Sequence, residues 1–100
     1  MYVGEIVQLD KGFLEAKKHD YAYVYDQYKL SEKPGISIIT EEGVDLGGFS
    51  DEEYNEYLIP VGDSGVRYDF TNVIQVDRDF RTVIKPAIVK FLKREGLLKE

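Results

Sequence analysis

The side chains able to do chemistry in this chain are tyrosines and carboxylates. Its 100 residues include one histidine, His19, and no cysteine, against eight tyrosines and 19 acidic residues. That inventory excludes zinc sites built from thiolates or from several histidines, and with them cysteine nucleophiles. His19 stands in the mixed-charge stretch Lys17-Lys18-His19-Asp20 and reads as a solvated loop residue. No cofactor is implied.

The carboxylates form two groups: Glu41, Glu42 and Asp45, then Asp51, Glu52, Glu53 and Glu56. A helix-flanked calcium loop needs oxygens at alternate positions, a central glycine and a distal glutamate, and neither group has that spacing. Two carboxylates can hydrolyse a glycosidic bond, but sequence context sets no pair apart. Asp51 and Glu52 suit the positive start of a helix, and Glu41 and Glu42 suit a hairpin tip. The Gly43–Gly48 stretch lacks the lysine and hydroxyl ending of a phosphate loop. In Gly62-Asp63-Ser64-Gly65 the second glycine follows Ser64 directly, so the segment departs from the nucleophile elbow and reads as a turn.

Tyr21, Tyr23 and Tyr25 occupy alternate positions of YAYVYDQY. On a strand they share one face, with Ala22 and Val24 on the other. Ala22 and Val24 are the wholly apolar choice for burial, and three buried phenols would each need a hydrogen-bond partner. The sequence leaves two readings open: the row lines the core, or it is a partly exposed aromatic strip of the kind enriched at interfaces, and the second makes it a candidate docking face.

These groups need elements to hold them. Residues 2–9 read as a strand in which Glu5 interrupts the apolar positions Val3, Val7 and Leu9. Residues 10–19 fit either a short helix capped by Asp10 or a long loop. Residues 21–28 form the tyrosine strand, and Pro34-Gly35 signals a turn. Ile36–Thr40 and Val44–Phe49 pair as a hairpin with Gly43 at the left-handed position, and Gly47-Gly48 marks a bulge. Ser50-Asp51-Glu52-Glu53 has the form of a capping box and predicts a short helix near 51–57. Strand signal returns at 58–61, 66–70 and 73–77. Ile84, Ala87, Ile88, Phe91 and Leu92 make a helical stripe near 85–95, with Pro86 in its first turn and Gly96 as terminator.

The expected fold is a single α+β domain over residues 1–100, with a small antiparallel sheet or SH3-like barrel and a C-terminal amphipathic helix. No apolar stretch approaches the ~20 residues that span a bilayer. The N-terminal residues read as a strand and not as a secretory leader, so the expected location is the cytoplasm. Charge is unevenly placed. The first eighty residues hold 7 basic and 17 acidic groups, and the last twenty hold six basic and two acidic, for a net charge of −6. An acidic body repels phosphate backbones and disfavours nucleic acid as a partner.

Together these features point to a small acidic, non-catalytic protein-binding module of the inhibitor, immunity or charge-mimic kind that engages a basic protein. Its contact residues would be Tyr21, Tyr23, Tyr25, Glu41, Glu42, Asp51 and Glu52. The alternatives are a small enzyme relying on carboxylates or a divalent cation, and a self-associating structural subunit.

Overall fold

The computed structural model describes residues 2–12, 15–30, 33–67 and 73–97. Five strands form one antiparallel sheet: β1 (Glu5–Leu9), β2 (Tyr21–Leu30), β3 (Lys33–Thr40), β4 (Asp45–Ser50) and β5 (Leu58–Asp63), in the spatial order β4-β3-β2-β1-β5. The first four form a meander. The chain then passes through helix α1 (Asp51–Tyr57) to place β5 beyond β1 at the far edge. No residue separates α1 from either strand, and seven helical residues rise only ~10 Å. Five flat strands would set their outer members ~19 Å apart. The sheet must therefore curl for α1 to touch both β4 and β5, as it does. It is not closed into an SH3-like barrel, because β4 and β5 are its two edges.

Three register shifts accompany that curl. Tyr25 is the extra residue of β2 between the pairs Val24–Ile38 and Asp26–Ser37, Gly47-Gly48 of β4 stand against the single residue Ser37, and Val61 is the extra residue of β5. Bulges increase local twist, and Gly48 (φ 82°) takes the left-handed conformation that a side chain would oppose.

α1 forms where the capping residues dictate. The Glu53 amide donates to Ser50 Oγ and the Ser50 amide donates to Glu53 Oε1, both at 3.3 Å. Tyr54 and Leu58 then face inward with Val7, Leu9, Ala22, Val24, Ile38 and Phe49, making a core on one side of the sheet. The other side is covered by a helical rod. It comprises α2 (Val73–Asp79), a π-helical turn (Phe80–Ile84) and α3 (Lys85–Arg94). The stripe Ile84, Ala87, Ile88, Phe91 and Leu92 is buried here against Ile6, Tyr23, Tyr25 and Ile39. α3 ends in a Schellman arrangement: Gly96 has φ 71°, its amide donates to Lys93 O, and the Leu97 amide donates to Leu92 O.

Three local expectations are corrected. Val73–Asp77 is helical, not a strand. Val76, Phe80 and Ile84 stand four apart and extend the α3 stripe backwards, so the apolar residues serve the helical period. Val66 and Arg67 lie outside any strand, and residues 68–70 fall outside the described residues. Pro34-Gly35 is not a turn but the start of β3, pairing with Lys29 and Tyr28. Pro34 lies past the last β3–β4 pair, Gly35 with Ser50, so no β4 partner is lost by its missing amide. Pro86 stands in the first turn of α3, as expected, although the π-helical turn runs straight into that helix. Its ring would crowd the preceding helical carbonyls, and the chain widens just before it, with the Lys85 amide donating to Phe80 O, five residues back. Among the described residues of 10–19 there is no helix, only turns and an isolated bridge at Ala16.

Candidate functional site

The tyrosine row is interior. Ala22, Tyr23 and Val24 are all 0% exposed, so β2 is covered on both faces and parity alone cannot tell inside from outside. Tyr23 donates from its hydroxyl to Val66 O at 2.8 Å. Tyr25 is buried as well and donates to Asp45 Oδ1 at 2.6 Å. Tyr21 is half-buried against the same core. The expectation of a wettable docking strip through Tyr21, Tyr23 and Tyr25 is therefore corrected. The helical rod lies on that face, and a carbonyl and a carboxylate meet the partner requirement of two phenols.

Tyr25 has a second role. Burial, then the hydrogen bond to Asp45 and its negative charge, push the phenol well above its ordinary pKa, so it stays a donor. The short bond fixes the Asp45 carboxylate at the start of β4. This places Asp45 beside the turn Glu41–Val44, where Gly43 (φ 89°) closes the hairpin and its amide donates to Thr40 O at 2.9 Å. The ring of Phe80 lies against Gly43, 3.4 Å from where a Cβ would stand.

Around this tip the fold brings together Glu15, Glu42 and Asp45. With Gly43, Val44 and Leu46 they line an open hollow of about 650 Å3. Three separate segments supply the acids: the connection between β1 and β2, the hairpin turn, and β4. Glu41 stands beside them, half-buried, its amide donating to Tyr21 O at 3.0 Å. Burial raises its carboxyl pKa, and the Asp20 and Glu42 carboxylates add to the rise; a backbone hydrogen bond at Tyr21 and the nearby Lys85 oppose it. Burial is the main cause of that rise, and the like-charged neighbours are a smaller one. Among the described residues no group of three or more His, Asp or Glu side chains is arranged to hold a metal ion.

Asp51 and Glu52 are exposed but not part of this hollow. They open α1 at the opposite end of β4, and five strand steps from Asp45 to Ser50 span ~16 Å. The acidic residues near 41–56 are thus two sites in space, one at the hairpin tip and one on α1. His19 is a turn residue with φ 77° whose amide donates to Leu9 O at 2.8 Å.

Two residues of interest escape a reading by residue type. Glu15 sits in a segment with no periodic signal and joins the hollow only through the fold. Glu5 is 6% exposed and accepts from the Tyr54 hydroxyl at 3.1 Å, across the core between β1 and α1. Burial first, then the Glu5 charge, push the Tyr54 phenol up. The signal for Glu5 was its place among the apolar positions Val3, Val7 and Leu9. An exposed corner is clamped separately: Arg67 meets both Asp63 oxygens at 2.7 and 2.6 Å, and the guanidinium holds the Asp63 carboxyl down at about 2.

No helix among the described residues is long and apolar enough to cross a membrane. Compared with known proteins, the chain matches no family model, no curated protein and no solved structure. The functional reading rests on the residues themselves.

Proposed function

We propose that the chain is a non-catalytic protein-binding module, of the inhibitor, immunity or charge-mimic kind. In this proposal it engages a basic protein through the acidic hollow at the β3–β4 tip, in the cytoplasm. The observation that carries the reading is the convergence of Glu15, Glu42 and Asp45 on one open hollow, with Asp45 fixed by the Tyr25 hydroxyl. A preset carboxylate loses little freedom when a lysine or arginine docks, and pre-organisation is a main source of affinity. Spread carboxylates around an open hollow suit an ammonium or guanidinium, which donates to several oxygens at hydrogen-bond distance. The net charge of −6 would steer a cationic partner towards the surface.

The test compares wild type with the triple variant Glu15→Gln, Glu42→Gln, Asp45→Asn, each immobilised and exposed to native lysate. Wild type should retain basic proteins that elute between about 100 and 500 mM salt, and the variant should lose them while keeping its circular dichroism spectrum. Equal retention by both proteins would overturn the proposal.

A further inference from the structure

The two strongly charged helices face opposite ways. α1 carries Asp51, Glu52, Glu53 and Glu56 and no basic residue, whereas residues 73–94 carry six basic and two acidic residues. α1 packs on one side of the sheet and α3 on the other, as their separate cores show. On the outward side of the rod Arg81, Lys90 and Lys93 are exposed, and no ion pair among the described residues involves them. Lys90 and Lys93, three apart, share one side of α3. On α1, Asp51 and Glu52 are exposed in the same way, and Glu56 meets only Lys11, at 3.3 Å on the surface.

From this layout we propose that the basic side of α3 docks on the acidic side of α1 of a second copy of this chain. The occupant is argued from complementarity of sign and from opposite placement on the sheet. The proposal is separate from the hairpin-tip hollow and does not depend on it. Two copies of a −6 chain repel at long range, but at ~0.1 M salt the Debye length is ~10 Å. The shortest extent of the molecule is 24 Å, so the repulsion between distant parts is screened while facing charges at contact are not. Because the two patches point away from each other, one contact leaves each copy with an unused patch. The contact is heterologous, and twofold pairing cannot satisfy both patches at once. It builds open head-to-tail chains.

Sedimentation velocity with two neutralised variants tests this. One is Arg81→Gln, Lys90→Gln, Lys93→Gln, and the other is Asp51→Asn, Glu52→Gln, Glu56→Gln. Wild type at about 100 mM NaCl should show a weight-average mass that rises with concentration, and at about 500 mM the mass of one chain. Each variant alone should stay at one chain mass, and their mixture should reach twice that mass and stop. A wild type that stays at one chain mass at about 100 mM NaCl would overturn the proposal. So would association unchanged by high salt, or a mixture that fails to pair although both variants keep the wild-type circular dichroism spectrum. A wild type of one chain mass that binds phosphatidylserine vesicles or duplex DNA would assign the basic side to another anion, with the same consequence.

Discussion

Replacing Tyr23 by alanine is the sharpest perturbation of the core reading. Its ring is 0% exposed between the sheet and the helical rod, touching the cluster that includes Ile6, Ile39, Ile88 and Phe91. Truncating a buried aromatic side chain to alanine costs about 3–5 kcal/mol, through lost transfer energy and the cavity left behind. Domains of this size have about 5–15 kcal/mol in total. At about 4–8 °C per kcal/mol the melting temperature should fall by roughly 12–40 °C. The hydroxyl can be separated from the ring. Tyr23→Phe keeps the ring and removes the hydroxyl bond to Val66 O, a bond worth about 0.5–1.5 kcal/mol, and that carbonyl keeps a longer contact with Ser64 Oγ at 3.4 Å. Ile59→Ala, on the exposed edge strand at 42% exposure, serves as a control, with an expected change of roughly 0.5 kcal/mol. Urea unfolding followed by circular dichroism reads all three. A loss below about 1 kcal/mol for Tyr23→Ala, or a loss equal to that of Tyr23→Phe, would refute the placement of this ring in the core.

Three further outcomes follow from the same contacts. The phenols of Tyr25 and Tyr54 have folded pKa values above the unfolded value of about 10. The unfolded chain releases these protons first, so stability is intact below about pH 10 and declines above it. The double variant Tyr25→Phe, Tyr54→Phe should flatten that decline in urea midpoints measured across the alkaline range. The Asp63 carboxyl is depressed to about 2, so its contribution is present above the unfolded value and is lost as pH falls through about 2. The stability gap between wild type and Asp63→Asn should therefore narrow over the acid range. At Gly62 a Cβ would stand 2.9 Å from Cζ of the buried Phe91 ring, and Gly62→Ala should lower stability by about 1–3 kcal/mol through overpacking, again read by urea unfolding.

What could be read from the chain was wherever local chemistry decides the outcome. The capping box at Ser50 and Glu53 set the start of α1, Gly43 closed the hairpin, and Gly47-Gly48 formed the bulge, because each depends on a few neighbouring atoms. The stripe from Ile84 to Leu92 was legible because five residues satisfied one period. Val73–Asp77 was not, because five residues fit both periods and only Phe80, further on, resolves the choice. Pro34-Gly35 was misread since a turn dipeptide can also open a strand where one side lacks a partner; the Tyr28 ring covers Gly35, 2.9 Å from where a Cβ would stand. The tyrosine row failed for a different reason. Alternation assigns residues to two faces but does not say that only one of them is covered, and here both are. At the candidate site Glu42 was legible as a hairpin-tip acid. Glu15 and the anchoring of Asp45 by Tyr25 arise from long-range packing and had no local signature.

The acidic tip is probed most directly by titrating isotope-labelled protein with tetralysine and following backbone amide shifts by NMR. The proposed function predicts that the largest shifts fall at Glu15 and across Glu42–Leu46, that they vanish in the Glu15→Gln, Glu42→Gln, Asp45→Asn variant, and that Tyr21–Tyr25 stay close to their free positions. Largest shifts at Asp51–Glu53, or shifts spread evenly over every surface carboxylate, would contradict it.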